Sequence, residues 1–158
     1  MNYNFTDMND YTKCSGKINY VPQTHLFITD CWGVNDLKQL EQYSIKHVIN
    51  VSPGSVRSEH SGITYYHLNI LDDSQQDILQ YFDKVFSKID ELYFNKQNVV
   101  INCQAGVSRS ASFVIGYLIK NGLSYENSYQ LLKSVRPIIN PNKGFIEQLK
   151  NYEKSIKR

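Results

Sequence analysis

Val99-Val100-Ile101-Asn102-Cys103-Gln104-Ala105-Gly106-Val107-Ser108-Arg109-Ser110-Ala111 changes its period halfway along. Its start, with Asn98, is a short apolar run of the kind that a sheet buries on both faces. A tight, glycine-containing loop follows. From Arg109 the spacing turns helical: Ala111, Val114, Ile115, Leu118 and Ile119 fall on one face as far as Lys120, and Asn121-Gly122 is the stop signal. A buried strand passing through a tight loop into an amphipathic helix is the building unit of α/β folds.

The same alternation extends outward in both directions. Upstream, His25 to Ile28 and Lys46 to Val51 read as short strands, the second ended by Ser52-Pro53-Gly54. Between them, Asn35 to Tyr43 carries Leu37 and Leu40 at helical spacing, and Ile63 to Ile70 is a further strand. A helix is expected from Ser74, where Ser74-Gln75-Gln76-Asp77 has capping-box spacing and Asp77 serves the cap. Behind it Ile78, Leu79, Phe82, Val85, Phe86, Ile89 and Leu92 share one face. Downstream, Ser124 caps a helix that ends before Arg136-Pro137, and Gly144 to Ile156 forms a last amphipathic helix with Phe145, Ile146, Leu149 and Tyr152 inward. The expected fold is α/β, a central mixed, mostly parallel sheet flanked by helices. Residues 1–16, rich in Asn, Asp and Thr, read as a flexible or loosely docked arm, and residues 17–158 as one domain.

Composition narrows the function classes. With 158 residues, of which 41% are hydrophobic, the chain can bury a substantial core. Lys and Arg number 17 against 15 Asp and Glu, an excess too small for a nucleic-acid binder working through a basic face. The three cysteines, Cys14, Cys31 and Cys103, suit a reducing, cytoplasmic setting better than a disulfide scaffold. The longest apolar stretch, Phe113 to Ile119, is too short to span a bilayer, so no membrane association is expected. His25, His47, His60 and His67 offer no pair at metal-ligand spacing and read as strand packing or surface, so neither metal nor cofactor is expected.

The chemistry concentrates where the strand hands over to the helix, the place where α/β folds bind ligands. A cysteine leaving a strand toward a helix N-terminus sits in positive potential, which favours the nucleophilic thiolate. The backbone N–H groups of Gln104, Ala105, Gly106, Val107, Ser108 and Arg109 can form a nest for phosphate oxygens, and Gly106 permits the backbone turn that the nest needs. Arg109 can close the ring with two parallel charge-assisted bonds. Ser110 offers a hydroxyl near the sulfur. Asp72-Asp73, in the loop after the Ile70 strand, supplies a carboxyl group for proton transfer.

Cys-x5-Arg-Ser between strand and helix resembles the protein tyrosine phosphatase signature, and Cys103 to Ala111 is similar to the loop of small dual-specificity phosphatases in particular. The resemblance covers roughly Leu26 to Glu153, including Asn50-Val51-Ser52, Tyr81-Phe82, and Pro141-Asn142-Lys143-Gly144-Phe145 with Gln148-Leu149. It implies a protein tyrosine phosphatase-like fold and hydrolysis of phosphotyrosine, with phosphoserine and phosphothreonine, in phosphorylated protein substrates. Cys103 would form the phosphocysteine, Arg109 clamp the phosphate and Ser110 assist the departing sulfur. The family's spacing from Tyr81-Phe82 puts the general acid at Asp72, with Asp73 as the alternative. The uncharged loop residues Gln104, Ala105, Val107 and Ser108 speak against phosphoinositides.

One position departs from the pattern: Asn102 stands where such phosphatases have histidine, and it can donate an N–H but never carry a positive charge. The rival expectation is therefore a phospho-binding pseudophosphatase with weak or no turnover. A sulfur transferase of rhodanese type, which also cradles anions around a cysteine, is a second rival. Cys14 or Cys31 could reach Cys103 in a protective disulfide, and Trp32 reads as a core or loop anchor rather than a substrate wall.

Overall fold

The buried run around Ile101 lies at the centre of a five-stranded sheet, in a computed structural model that describes residues 12–157. The strands are β1 (Asn19–Tyr20), β2 (Leu26–Thr29), β3 (Ile45–Asn50), β4 (Thr64–His67) and β5 (Asn98–Asn102), in the spatial order β1-β2-β5-β3-β4. β1 pairs antiparallel at the edge, and every other pairing is parallel. The register sets Thr29 and Asn50 on either side of Asn102, so the three central strands end level with one another. That common edge carries the candidate site.

The α-helices that follow β2 are, in chain order, α1 (Cys31–Val34), α2 (Leu37–Gln42), α3 (Phe82–Phe94), α4 (Arg109–Lys120), α5 (Tyr125–Val135) and α6 (Lys143–Ile156). The alternation of a pleated strand assigns the two faces. Val99 and Ile101 join the larger core cluster with Phe82, Phe86, Val114, Ile115 and Phe145, whereas Val100 joins Val34, Leu40 and Val48 in the smaller one. α3 to α6 thus cover one face and α1 with α2 the other. The bounds expected for α4 and the Ser124 cap of α5 coincide with those observed; Ser124 Oγ accepts from Asn127 N–H at 3.1 Å.

Several expectations need correction. The helix expected from Ser74 begins later, as a 3₁₀ turn at Leu79–Tyr81 that leads into α3. Asp73, not Ser74, organises the preceding turn: its carboxylate accepts from Gln75 N–H at 2.7 Å and its carbonyl from Gln76 N–H at 3.0 Å. Gln148 of α6 then takes up the segment's backbone groups, accepting from Ile78 N–H at 2.8 Å and donating to the Gln76 carbonyl at 2.9 Å. Asp77 does cap, but for the later start, accepting from Leu79 N–H at 2.9 Å. The strand expected over Ile63 to Ile70 pairs only at Thr64–His67. β1 and α1 were not foreseen, being too short to show a period.

Of the expected arm, residues 1–11 lie outside the described residues. At its end Cys14 is buried, and Gly16 N–H donates to the Asp30 carboxylate at 2.9 Å.

Gly116 sits in the middle of α4, where a Cβ would come within 2.7 Å of the Phe82 ring and 2.9 Å of Phe86. Two effects oppose each other on substitution. Alanine gains about 1 kcal/mol of helix propensity, while overpacking costs about 1–3 kcal/mol. Because two buried rings must shift together, Gly116→Ala is expected to lower stability by about 1–2 kcal/mol, read from the urea midpoint. A raised midpoint would show that the rings yield.

Candidate active site

The loop from Cys103 to Ser108 leaves β5 and enters α4 around the Cys103 side chain. Cys103 Sγ is buried, accepts the Gly106 N–H at 3.2 Å and lies 3.1 Å from Ser110 Oγ in the first turn of α4. Ser108, at the N-cap position, makes no side-chain cap; its Oγ accepts instead from Asn142 N–H at 2.9 Å. The first N–H groups of this 12-residue helix are therefore left without a side-chain acceptor, at the end where the helix dipole favours an anion.

The loop carbonyls are turned the other way. Those of Ala105 and Gly106 accept from Arg136, at 3.3 and 2.8 Å, and that of Gln104 accepts from Cys31 N–H at 3.0 Å. In a trans peptide C=O and N–H point in opposite directions. Fixing these carbonyls on the inside thus turns the N–H groups of Ala105, Gly106 and Val107 outward, and the Gly106 N–H accordingly meets the sulfur. The turn requires glycine at 106, where φ is +64° and a Cβ would fall 2.5 Å from Arg136 Nη2.

In the sequence Arg136 marks only the end of α5, yet its fully buried guanidinium is the floor of the site. Besides the loop carbonyls it bonds Asn19 Oδ1 at 2.8 Å, the Lys17 and Cys14 carbonyls at 3.1 and 3.3 Å, and Asp30 Oδ2 at 3.1 Å. Asp30 in turn caps α1 through the N–H groups of Trp32 and Gly33. Sequence offers no periodic signal for a buried Arg–Asp pair drawn from segments 106 residues apart.

On the opposite rim, Arg109 is half-buried and its Nη1 donates to the Ile70 carbonyl at 3.1 Å, which ties the guanidinium to the segment that leads into Asp72. Asp72 is exposed and accepts from Asn142 Nδ2 at 2.9 Å. Asn142 also caps α6, accepting from Phe145 N–H at 2.9 Å, so one residue joins Asp72, Ser108 and a helix start. Asp73, engaged in its own turn with Gln75, lacks that link to the loop. In the sequence Asn142 stands out only as part of the resembling motif.

Asn102, fully buried, donates from Nδ2 to Asn50 Oδ1 at 3.1 Å, while its own Oδ1 has no hydrogen-bond partner. Asn50 Nδ2 lies 3.0 Å from His67 Nδ1, and His67 Nε2 lies 2.7 Å from Glu59. An amide nitrogen can only donate, so Nδ1 is the acceptor and Nε2 carries the hydrogen shared with Glu59. The donor of Asn102 is thus directed to a side-chain chain running to the surface.

The remaining flank is built on Gln104, whose Oε1 accepts from Ser55 Oγ at 3.1 Å and whose Nε2 donates to Cys31 Sγ at 3.3 Å. Burial, reinforced by the Asp30 carboxylate, pushes the Cys31 thiol up, with Arg57 pulling the other way. All three cysteines are free and buried; Cys31 rests against the loop, whereas Cys14 offers its carbonyl to Arg136. Trp32, expected as a core or loop anchor, is 54% exposed beside the loop, which excludes the core and leaves the loop position.

With the geometry in view, a family model described as dual specificity phosphatase, catalytic domain, matches residues 26–155. The chain is 37% identical over 120 residues to dual specificity protein phosphatase 19 of Mus musculus, covering 75% of this chain and 54% of that one. Against dual specificity protein phosphatase 1B of Arabidopsis thaliana the identity is 33% over 135 residues, with 85% and 81% covered. The crystal structure of human DUSP28 superposes with a TM-score of 0.84 at 25% identity, covering 89% of this chain and 95% of that one. The chain therefore spans about half the length of the mouse relative. The expected mixed sheet with flanking helices is that of these phosphatases.

Arg136→Met would leave Asp30 as an unpaired buried charge, and is expected to cost about 3–5 kcal/mol in urea unfolding. The double change Arg136→Met with Asp30→Asn should recover part of that loss. An unchanged midpoint in Arg136→Met would show that the loop holds its shape without the guanidinium.

Proposed function

The chain belongs to the dual specificity phosphatase family, and from that premise we propose that it hydrolyses phosphotyrosine, with phosphoserine and phosphothreonine, through a phosphocysteine on Cys103. The observation that carries this reading is the setting of the Cys103 sulfur, at the mouth of an uncapped helix, with the Gly106 N–H at 3.2 Å and Ser110 Oγ at 3.1 Å.

The reaction runs in two displacements. Arg109 and the loop N–H groups of residues 104–109 hold the phosphoryl oxygens, and charge-assisted bonds of this kind strengthen as negative charge spreads over them. The Cys103 thiolate attacks phosphorus, the phosphorus–oxygen bond breaks, and the Asp72 carboxyl group gives its proton to the leaving oxygen. A water then loses a proton to the Asp72 carboxylate and attacks phosphorus. The electron pair of the broken phosphorus–sulfur bond returns to Cys103, where the Ser110 hydroxyl can donate a hydrogen bond. Asn142, bonded to Asp72 and to Ser108, supports the choice of Asp72 over Asp73. The uncharged loop residues suit phosphorylated proteins, and the free cysteines suit the cytoplasm.

One observation favours a second reading. The Asn102 oxygen, buried without a partner directly before the nucleophile, is compatible with a phosphate-binding protein of weak turnover.

Hydrolysis of an aryl phosphate across pH 5 to 8, with vanadate as inhibitor and no added metal, tests both. Cys103→Ser is expected to abolish turnover, and Asp72→Asn to lower kcat roughly 100-fold, the scale of one general acid. A wild type that binds vanadate yet hydrolyses nothing selects the second reading, and Asn102→His is then the change expected to raise turnover.

A further inference from the structure

Beside the phosphate loop stands a charged surface that the reaction above does not use. Because β2, β5 and β3 end level, the segments that follow them meet at one rim: Cys31-Trp32 after β2, Gln104 after β5 and Ser55 to Arg57 after β3. They are fastened together. Gln104 bonds both Cys31 and Ser55, and Asn35 Nδ2 donates to the carbonyls of Cys31 at 2.6 Å and Ser55 at 2.7 Å. Asn35 Oδ1 accepts from Arg57 N–H at 2.9 Å, which fixes the backbone of Arg57 next to the tryptophan. The Arg57 guanidinium carbon then lies 4.5 Å from the centroid of the Trp32 ring.

Both side chains are exposed, and among the described residues no carboxylate forms an ion pair with Arg57. The nearby acid, Asp30, is committed to Arg136, and Glu59 to His67. A guanidinium laid on an aromatic face keeps its in-plane N–H donors free, and the stacking limits the rotamer freedom lost when an anion binds. An exposed tryptophan and an arginine with no ion pair among the described residues, held by a half-buried asparagine clamp against Gln104, are more than a solvated charge. They stand at the rim held by Gln104, the residue that follows Cys103.

We propose that Arg57 and Trp32 form a specificity subsite that binds an anionic side chain, a carboxylate or a second phosphate, flanking the phosphorylated residue of the substrate. The proposal rests on the phosphatase reading for its substrate, but its binding step can be measured apart from turnover. Arg57 meets the anion with its N–H fork, and Trp32 supports the guanidinium and covers the peptide's apolar stem.

The test uses three phosphotyrosine peptides of one sequence, flanked by glutamine, by glutamate or by phosphoserine. Wild type should prefer the glutamate peptide over the glutamine one by about fivefold in kcat/KM, as one exposed ion pair supplies. The doubly charged phosphoserine should raise the preference to about tenfold. In Arg57→Ala both ratios should fall close to one, whereas Lys46→Ala, at the opposite end of β3, should leave them unchanged. Equal gains from the two acids would identify an acidic sequence as the ligand, and a larger gain from phosphoserine a doubly phosphorylated one.

If wild type turns over none of the peptides, the phosphatase reading fails and the subsite is judged by binding. Trp32 is the only tryptophan in the chain, so its fluorescence in Cys103→Ser reports peptide affinity at this position. The same Arg57-dependent ratios in Kd would support the subsite. Ratios near one in wild type, ratios that survive Arg57→Ala, or an equal loss in Lys46→Ala would overturn it.

Discussion

The guanidinium of Arg136, sealed beneath the loop from Cys103 to Ser108, is the interaction on which the rest of the site depends. A charge removed from water costs several kcal/mol unless every donor is matched. Here the acceptors come from three distant segments: residues 14–19 leading into β1, Asp30 after β2, and the carbonyls of Ala105 and Gly106. The loop cannot relax without stranding that charge. Its inward carbonyls are what turn its N–H groups outward, so the anion-attracting side of the loop follows from a cation on the other side. The same cation explains the need for glycine at 106, since a Cβ there would collide with Arg136 as well as strain the backbone.

A second set of contacts carries the loop's position to its surroundings. Asn142 binds Ser108 through its backbone and Asp72 through its side chain while starting α6, so the helix, the Asp72 loop and the Cys103 loop share one hinge of hydrogen bonds. Ser108 can serve Asn142 because it does not cap its own helix. On the other flank Gln104 and Asn35 bind together the segments after β2 and β3. Level strand ends make both arrangements possible. A one-residue slip of β5 would move Asn102 and Cys103 to opposite faces and dismantle them.

Where local physics dominates, the sequence was enough. α4 and α5 have strong apolar periods with Ser124 and Asn121-Gly122 at their boundaries, and they begin and end where those signals put them. The segment after Asp72 failed for an equally physical reason. Ser74 to Asp77 has a capping pattern, but Gln148 and Gly144 from α6 occupy the space and the hydrogen bonds that an earlier helical turn would need. Residue type leaves Trp32 open between core and loop, and its place on a rim, under Arg57, is decided by neighbours far along the chain.

The α/β alternation, the strand–loop–helix that holds Cys103, Arg109 and Ser110 in register, and the family to which that loop points are all legible in the chain. These follow from periodicity and from residues within about a dozen positions of one another. Only the tertiary structure decided what lies under and around the loop: the Arg136–Asp30 pair, the link from Asp72 through Asn142, the turn of Asn102 toward Asn50, and the pairing of Arg57 with Trp32. Each joins residues from separate segments by a directional hydrogen bond, an ion pair or a stacked contact. Such contacts leave no period in the chain, and they exist only once the sheet has brought its strand ends to a common edge.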